Sequence, residues 1–306
     1  MTMPIAIMCL LAALGPVAAH GDVSDTPGVA STWTFDLWII IPLYTSAALY
    51  LIGTRRIWRH AGHGRGVRRW QVACFWCGWT SLALALLSPL HWLGERLFVA
   101  HMIEHEVLMV VAAPLLAVAR PIGAFLWALP PRWRTRFGRA AQAPLVSSAW
   151  SVLRNPLIAT VLHGAALWLW HMPILYNTVL TNVGMHRLQH ACFFFSAVLF
   201  WWSLFFGPLR QRGYGIAVGC LFFTSLHSAI LGIFLTLARQ PWYPQQGEFA
   251  ALCGLTPLED QQLAGLVMWV PPGMVYLGFA IYFAARWISQ AGSSYSAGGR
   301  YAIASR

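Results

Sequence analysis

Seven apolar runs of about 20 residues recur along the chain, and short polar segments separate them. The runs lie at about residues 34–52, 71–90, 98–120, 156–175, 186–206, 214–238 and 261–286. A helix needs about 20 apolar residues to cross the hydrocarbon core of a bilayer, and it satisfies its own backbone hydrogen bonds there. The sequence therefore predicts an all-α fold, a polytopic transmembrane helical bundle with seven spans.

The composition agrees with a membrane location and argues against binding of nucleic acid. Of 306 residues, 58% are hydrophobic and only 9% are charged, which is too little charge to cover the surface of a soluble protein of this size. The net charge of +11 comes from arginines dispersed over short loops, and no nucleic-acid-binding motif accompanies them. We expect the lipid bilayer as a partner and no nucleic acid.

The arginines also predict how the chain is oriented in the membrane. The loops that follow the first, third, fifth and seventh runs, together with the last residues of those runs, carry 17 of the 20 arginines, whereas the opposite side carries only Arg96, Arg187 and Arg239. Arginine and lysine are enriched in cytoplasmic loops. We therefore expect the mature N-terminus outside and the C-terminus in the cytoplasm.

Two terminal segments differ in composition from the predicted membrane domain at residues 20–289. Residues 1–19 are apolar and end in Val17-Ala18-Ala19, which is typical of a signal peptide cleaved before His20. An uncleaved N-terminal anchor is the alternative, because the run is nearly long enough to span. Residues 290–306 contain many Gly and Ser residues, and we expect them to form a disordered cytoplasmic tail.

Paired histidines occur inside the predicted spans, where ionisable groups are costly and suggest a function. His101 and His105 are four residues apart in the third run, and His186 and His190 have the same spacing in the fifth. This spacing places both members of a pair on one helix face. With a rise of about 1.5 Å per residue, both pairs and His171 of the fourth run reach the same outer layer.

The residue types in this layer favour copper. Imidazole suits copper, zinc and iron, whereas thioether selects Cu(I). We predict no catalytic residue, and we regard Glu104 either as a ligand or as a group that orients an imidazole. The predicted metal ligands are His101, His105, His186 and His190, with His171, His227, Met102, Met172, Met268 and Glu104 as further candidates.

Three other interpretations of these histidines remain. Each imidazole can simply form a hydrogen bond between membrane helices. A membrane b-type cytochrome would use two facing histidines as axial haem ligands, and His163 with His227 lie near the midplane of their spans. A membrane metalloenzyme built on the HxxxH pairs would need an open metal position.

Four sequence blocks follow one another in a characteristic order. They are His101-Met102-x-x-His105 with Ala113-Pro114-Leu115-Leu116 and Arg120-Pro121, Trp170-His171-x-Pro173-x-x-Tyr176, His186-x-x-x-His190 with Phe200-Trp201-Trp202, and Pro257-Leu258-Glu259-Asp260-Gln261-Gln262-Leu263-Ala264-Gly265 with Met268-Trp269-Val270-Pro271. As a set, these blocks resemble the CtaG-type cytochrome c oxidase assembly factors of caa-type oxidases. The resemblance covers about residues 35–285.

The resemblance implies a multi-pass protein of the bacterial plasma (inner) membrane that is needed to make an active haem–copper oxidase. It implies oxidase subunits as partners and a metallochaperone-like handling of copper rather than enzymatic catalysis. Glu104 stands where the family more often has a neutral polar residue, and an acid favours a harder or more oxidised ion. The sequence leaves four questions open. They are whether the ion is Cu(I) or Cu(II), which copper centre of the oxidase receives it, whether the protein is a homodimer, and whether the two HxxxH pairs form one site.

Overall fold

The protein folds as a bundle of helices. The computed structural model describes residues 32–207 and 214–304, with the backbone alone for residues 247, 248 and 291–304. The predicted signal peptide or anchor at residues 1–19 lies outside the described residues. Within the described part there is no β-strand, and the all-α prediction is confirmed.

Thirteen α-helices, one π-helical segment and one 3₁₀ helix follow one another in the two described stretches. They are α1 (Leu37–Ala61), α2 (Arg69–Leu87), α3 (Pro89–Gly94), α4 (Phe98–Glu106), the π-helical segment (Val107–Ala112), α5 (Ala113–Ala119), α6 (Ile122–Ala128), α7 (Pro131–Ala141), α8 (Pro144–Leu153), α9 (Pro156–Trp170), α10 (Pro173–Thr181), α11 (Val183–Phe206), α12 (Gly215–Thr236), the 3₁₀ helix (Pro244–Cys253) and α13 (Pro257–Ala304).

Within the described residues, six helical segments are long and apolar enough to cross a membrane. They are α1, α2, the continuous segment from α4 through α5, α11, α12 and most of α13. The predicted fourth span differs, because α9 has only 15 residues and meets α8 at a bend of 74°. Proline begins both helices, at Pro144 and Pro156, a position that proline tolerates because the first helical N–H has no partner. The polytopic bundle is confirmed, and the described part of the chain holds six candidate spans, or seven if the bent pair is counted as one.

The last helix organises one side of the bundle. It packs most extensively against α12 and also contacts α4. The close approach to α12 requires a small residue, since a Cβ added to Gly265 would lie 2.6 Å from the carbonyl oxygen of Gly232. Helix α13 continues through Pro271 and Pro272 and extends into residues 290–304, the segment for which the sequence predicts a disordered tail.

The third span is irregular at its centre. Val107–Ala112 is π-helical, and the indole N–H of Trp201 donates to the carbonyl oxygen of Met109 at 2.9 Å. A π-helical turn changes the register of the residues that follow it and occurs frequently at functional sites. Leu108 and Ala112, which a regular helix would place on the histidine face, pack instead in a cluster with side chains of α1 and α2.

Candidate metal site

Histidine and glutamate side chains from α3, α4 and α11 converge at one end of the bundle, which we call the histidine end. In three groups of three residues, the candidate donor atoms all lie within 4.8 Å of one another. A metal ion with nitrogen and oxygen ligands near 2 Å needs donors about 3–4 Å apart, so modest side-chain adjustment would suffice. Among the described residues, the groups are His101/His186/His190, His91/Glu95/His186 and His91/Glu104/His190.

The two HxxxH pairs face each other across the contact between α4 and α11. Within each pair, the ring centroids of His101 and His105 lie 4.1 Å apart, and those of His186 and His190 lie 4.4 Å apart. Between the helices, the centroids of His101 and His186 are separated by 5.3 Å, and those of His105 and His190 by 5.1 Å. The sequence left the joining of the pairs open, and the structure brings them together.

His105 lies beside these groups without being a member of any of them. Its ring also packs edge-on against Phe193, with the centroids 4.7 Å apart. The side chain is almost completely buried, and neither ring nitrogen has a hydrogen-bond partner. His105 is therefore a fourth imidazole next to the group that contains His101 and His190.

Several polar atoms at the histidine end are buried without a hydrogen-bond partner in the protein. They include both ring nitrogens of His101, one ring nitrogen each of His186 and His190, and one carboxylate oxygen of Glu104. A buried polar atom without a partner costs about 1–3 kcal/mol, so such atoms are rare in folded proteins. Because one donor atom from each residue of a group lies within 4.8 Å of the others, a bound cation would satisfy several of them at once.

Glu104 connects the histidines through its buried carboxylate. One oxygen lies 2.7 Å from Nδ1 of His91 and 3.7 Å from Nε2 of His190. Burial opposes the charged imidazolium, but the hydrogen bond and the negative charge of Glu104 outweigh it and raise the pKa of His91. The sequence left His91 and Glu95 out of the ligand list. The only sequence signal for them was Glu104, an acid inside an apolar run that needs a polar partner. That signal did not indicate which residue would be the partner.

The start of α4, which carries His101, is held by the last helix. The carboxylate of Asp260 accepts hydrogen bonds from the backbone N–H groups of Phe98 at 2.7 Å and Val99 at 2.9 Å. These N–H groups have no partner within their own helix. The fully buried Asp260 therefore acts as a helix cap supplied from a distant part of the chain.

A close contact between α3 and α4 sets the position of Glu104. A Cβ added to Gly94 would lie 3.0 Å from a carboxylate oxygen of Glu104 and 3.2 Å from Cα of His101. The carbonyl of Gly94 also accepts a hydrogen bond from the side chain of Gln246 at 2.8 Å. The hydroxyl of Tyr176 donates to the side-chain oxygen of the same Gln246. The 3₁₀ helix and α10 thus cover the histidine end.

Of the additional histidine candidates, His171 lies near the cluster and His227 does not join it. Nδ1 of His171 shares a hydrogen bond of 2.7 Å with the carbonyl of Leu167, and its Nε2 is buried without a partner. His227 lies against Gly164 of α9 instead, where an added Cβ would approach its Nε2 to 3.1 Å. Neither residue belongs to a metal-ligand group among the described residues.

His227 and His163 form what we call the mid-bundle pair. Nδ1 of His163 shares a hydrogen bond of 3.0 Å with the hydroxyl of Ser196, and its ring stacks on Phe200 at 5.5 Å. The contact of His227 with the backbone of Gly164 leaves no space for a macrocycle between that imidazole and α9. This packing argues against the haem alternative.

The three candidate methionines occupy different environments. Met102 and Met268 are almost completely buried and belong to the main hydrophobic cluster of the bundle. Met172 is exposed at the start of α10. The three groups of imidazole and carboxylate donors lie at the histidine end beside this cluster.

A largely apolar cavity of about 1100 Å³ reaches the histidine end between α1, α2 and α11. His91, Glu95, His186 and His190 line it, together with many apolar side chains. Arg187 also lines the cavity, and its guanidinium pairs with Asp36 of α1 at 2.7 Å. The candidate site is thus accessible from one side of the bundle.

Comparison with known families identifies the family of this chain. A sequence model of the family described as cytochrome c oxidase caa3 assembly factor (Caa3_CtaG) matches residues 48–290. The chain belongs to this family. This match confirms the resemblance noted in the sequence. The matched region also contains all three metal-ligand groups. No curated protein and no solved structure matches the chain.

Membership in this assembly-factor family gives the broad role of the protein, which acts in the making of cytochrome c oxidase. The apolar helices agree with a membrane location for that role. The structure adds groups of histidine and glutamate side chains that could hold a metal ion.

Proposed function

We propose that this assembly factor binds copper at the histidine end and delivers it to a subunit of a haem–copper oxidase. The observation that carries the proposal is the convergence of three donor groups, each within 4.8 Å, in a member of an oxidase assembly family. Copper is cargo in this scheme, and the protein performs no covalent catalysis.

His101, His186 and His190 are the main ligands in this proposal, and His105 is the adjacent fourth imidazole. Neutral imidazole is a suitable copper ligand, and burial of these side chains would shield the ion from other ligands in solution. Glu104 orients His91 and supplies a negative charge that would offset part of the charge of the ion. Binding is expected to weaken on acidification, because protonated imidazole cannot coordinate a metal.

Delivery would proceed by ligand exchange with an oxidase subunit in the same membrane. The arginine distribution supports an outward-facing histidine end in the bacterial plasma membrane. A subunit that offers its own metal ligands there would take over the ion stepwise.

Copper titration of the purified protein tests this function. The variant His101→Ala/His190→Ala should bind copper more than about 100-fold more weakly, since even residues that only support metal ligands typically contribute 10–100-fold. His163→Ala is the matched control, because it removes a buried histidine from the mid-bundle pair, and it should keep the wild-type affinity. Equal affinity of the double variant and the wild-type protein, for both Cu(I) and Cu(II), would overturn the proposal.

A cellular measurement connects binding to oxidase assembly. In cells that lack the wild-type protein, the double variant should fail to restore copper content and activity of the oxidase, whereas His163→Ala should restore both. If a double variant that no longer binds copper fully restores oxidase activity, the protein's role in assembly is not copper delivery.

A further inference from the structure

We infer that His91, Glu95 and His186 form an entry position, where copper binds before it moves to the group made by His101, His186 and His190. We call the second position the deep group. This inference rests on the proposed copper function and adds the route by which the ion reaches its site. The donor atoms of the entry position lie within 4.8 Å of one another, as do those of the deep group.

The two positions differ in their access to solvent. In the entry position Glu95 is exposed and His186 is half-buried, whereas His91 is only 6% exposed. In the deep group His101 is only 1% exposed and His190 only 7%. An ion that arrives from outside therefore meets Glu95 first, because Glu95 is the one exposed ligand of the two positions.

The cavity leads to the entry position. All three of its residues line the cavity; in the deep group His190 also lines it, whereas His101 does not. Arg187 on the same wall would repel a cation, but its pairing with Asp36 at 2.7 Å compensates that charge. The charge of Arg187 is thus balanced within the cavity wall and does not oppose the approach of a metal ion.

His186 belongs to both positions, so an ion can move between them without losing all its protein ligands. The ion keeps the bond to His186 while it exchanges Glu95 and His91 for His101 and His190. This exchange changes no oxidation state and requires no further reactant. Sharing of a ligand between an open and a buried position is the arrangement that stepwise ligand exchange requires.

Glu95 is available for this role because its present partner is weakly bound. Its carboxylate lies 3.3 Å from the guanidinium of Arg96, and both side chains are about half exposed. Exposed ion pairs of this kind contribute at most about 1 kcal/mol. A copper ion that is also bound by the imidazoles of His91 and His186 can therefore displace Arg96 from Glu95.

Stopped-flow measurement of tryptophan quenching by Cu(II) on the purified full chain tests the entry position. Glu95→Gln should slow copper uptake by about tenfold. Local charges change association rates of ions by factors of this size. The equilibrium affinity of the deep group should stay within about twofold of the wild type, since Glu95 is not among its ligands. Glu259→Gln, which changes an exposed acid outside the cavity, is the control and should leave the rate unchanged.

A second variant separates ligation from simple attraction of a cation. Glu95→Asp keeps the charge but shortens the side chain, so it should remain slow if the carboxylate must bind the ion. A wild-type rate in either Glu95 variant would overturn the inference. A fall in affinity equal to the fall in rate would also overturn it, because Glu95 would then belong to the final site.

The entry position can also be observed alone. The variant His101→Ala/His190→Ala should retain one weak Cu(II) with mixed nitrogen and oxygen ligands in its electron paramagnetic resonance spectrum, and adding Glu95→Gln should remove it. If that weak signal survives the added substitution, the entry position is wrong although the copper function stands. If the wild-type protein binds no copper at all, the proposed function itself fails.

Discussion

The histidine end and the mid-bundle pair contain the same residue type in the same bundle but differ in what surrounds it. At the histidine end, imidazoles from α3, α4 and α11 face one another and share the buried carboxylate of Glu104. In the mid-bundle pair, His163 is satisfied by Ser196 and stacks on Phe200, whereas His227 lies against Gly164 with both ring nitrogens unpartnered and no further donor group beside it in the described metal-ligand groups.

This difference separates a candidate site from an interhelical contact. A histidine that finds one hydroxyl and one aromatic ring is stabilised without a ligand. Three or more donors with unpartnered nitrogens in one volume are stabilised by a cation instead. The convergence of donors, rather than the presence of a buried histidine, is therefore the criterion, and four substitutions test it.

The largest effect is expected where the last helix holds the histidine end. Asp260→Ala leaves two buried backbone N–H groups at the start of α4 without an acceptor, which should lower the free energy of unfolding by about 3 kcal/mol. Asn155→Ala is the matched control, since it removes one capping bond to Leu157 at the start of α9 and should cost about 1 kcal/mol. Thermal unfolding in detergent measures both, and an Asp260→Ala effect no greater than that of the control would contradict this assignment.

Substitution of the shared carboxylate follows. Glu104→Gln keeps the shape but removes the charge between His91 and His190, and copper affinity should fall by about 10–100-fold, as for residues that support metal ligands. Competition titration with a chromogenic chelator measures the change. An unaltered affinity would show that Glu104 serves the fold alone.

A steric change at the histidine end should have a smaller effect. Gly94→Ala brings a methyl group to 3.0 Å from Glu104 and near the backbone of His101, and such overpacking costs about 1–3 kcal/mol. About a tenfold loss of copper affinity is expected, since 1.4 kcal/mol corresponds to a factor of ten. Gly219→Ala adds a methyl group where nothing lies within 4 Å, so its affinity should equal that of the wild type.

The smallest effect belongs to the mid-bundle pair. Ser196→Ala removes the hydrogen bond to His163 and should lower the free energy of unfolding by about 1 kcal/mol, the usual net contribution of one such bond. Copper affinity should not change. A loss of copper binding in this variant would mean that the mid-bundle histidines contribute to the site, and the distinction between the two regions would fail.

The sequence alone determined the helical membrane architecture and four of the residues at the histidine end. Apolar runs of about 20 residues can be accommodated in a bilayer only as helices or closed barrels, and a spacing of four residues places two side chains on one helix face. These rules act within a single segment, which is why His101, His105, His186 and His190 could be found without a structure. The family assignment also followed from the order of short sequence blocks and is confirmed by the match over residues 48–290.

Only the tertiary structure decided which side chains from different helices meet. His91 and Glu95 join the histidine end because the short helix α3 returns the chain onto α4 at Gly94, and no periodicity in the sequence indicates that return. The π-helical turn at Val107–Ala112 likewise depends on an indole that lies 92 residues away. Contacts between distant residues depend on how helices pack, and helix packing is a property of the whole bundle rather than of any one segment.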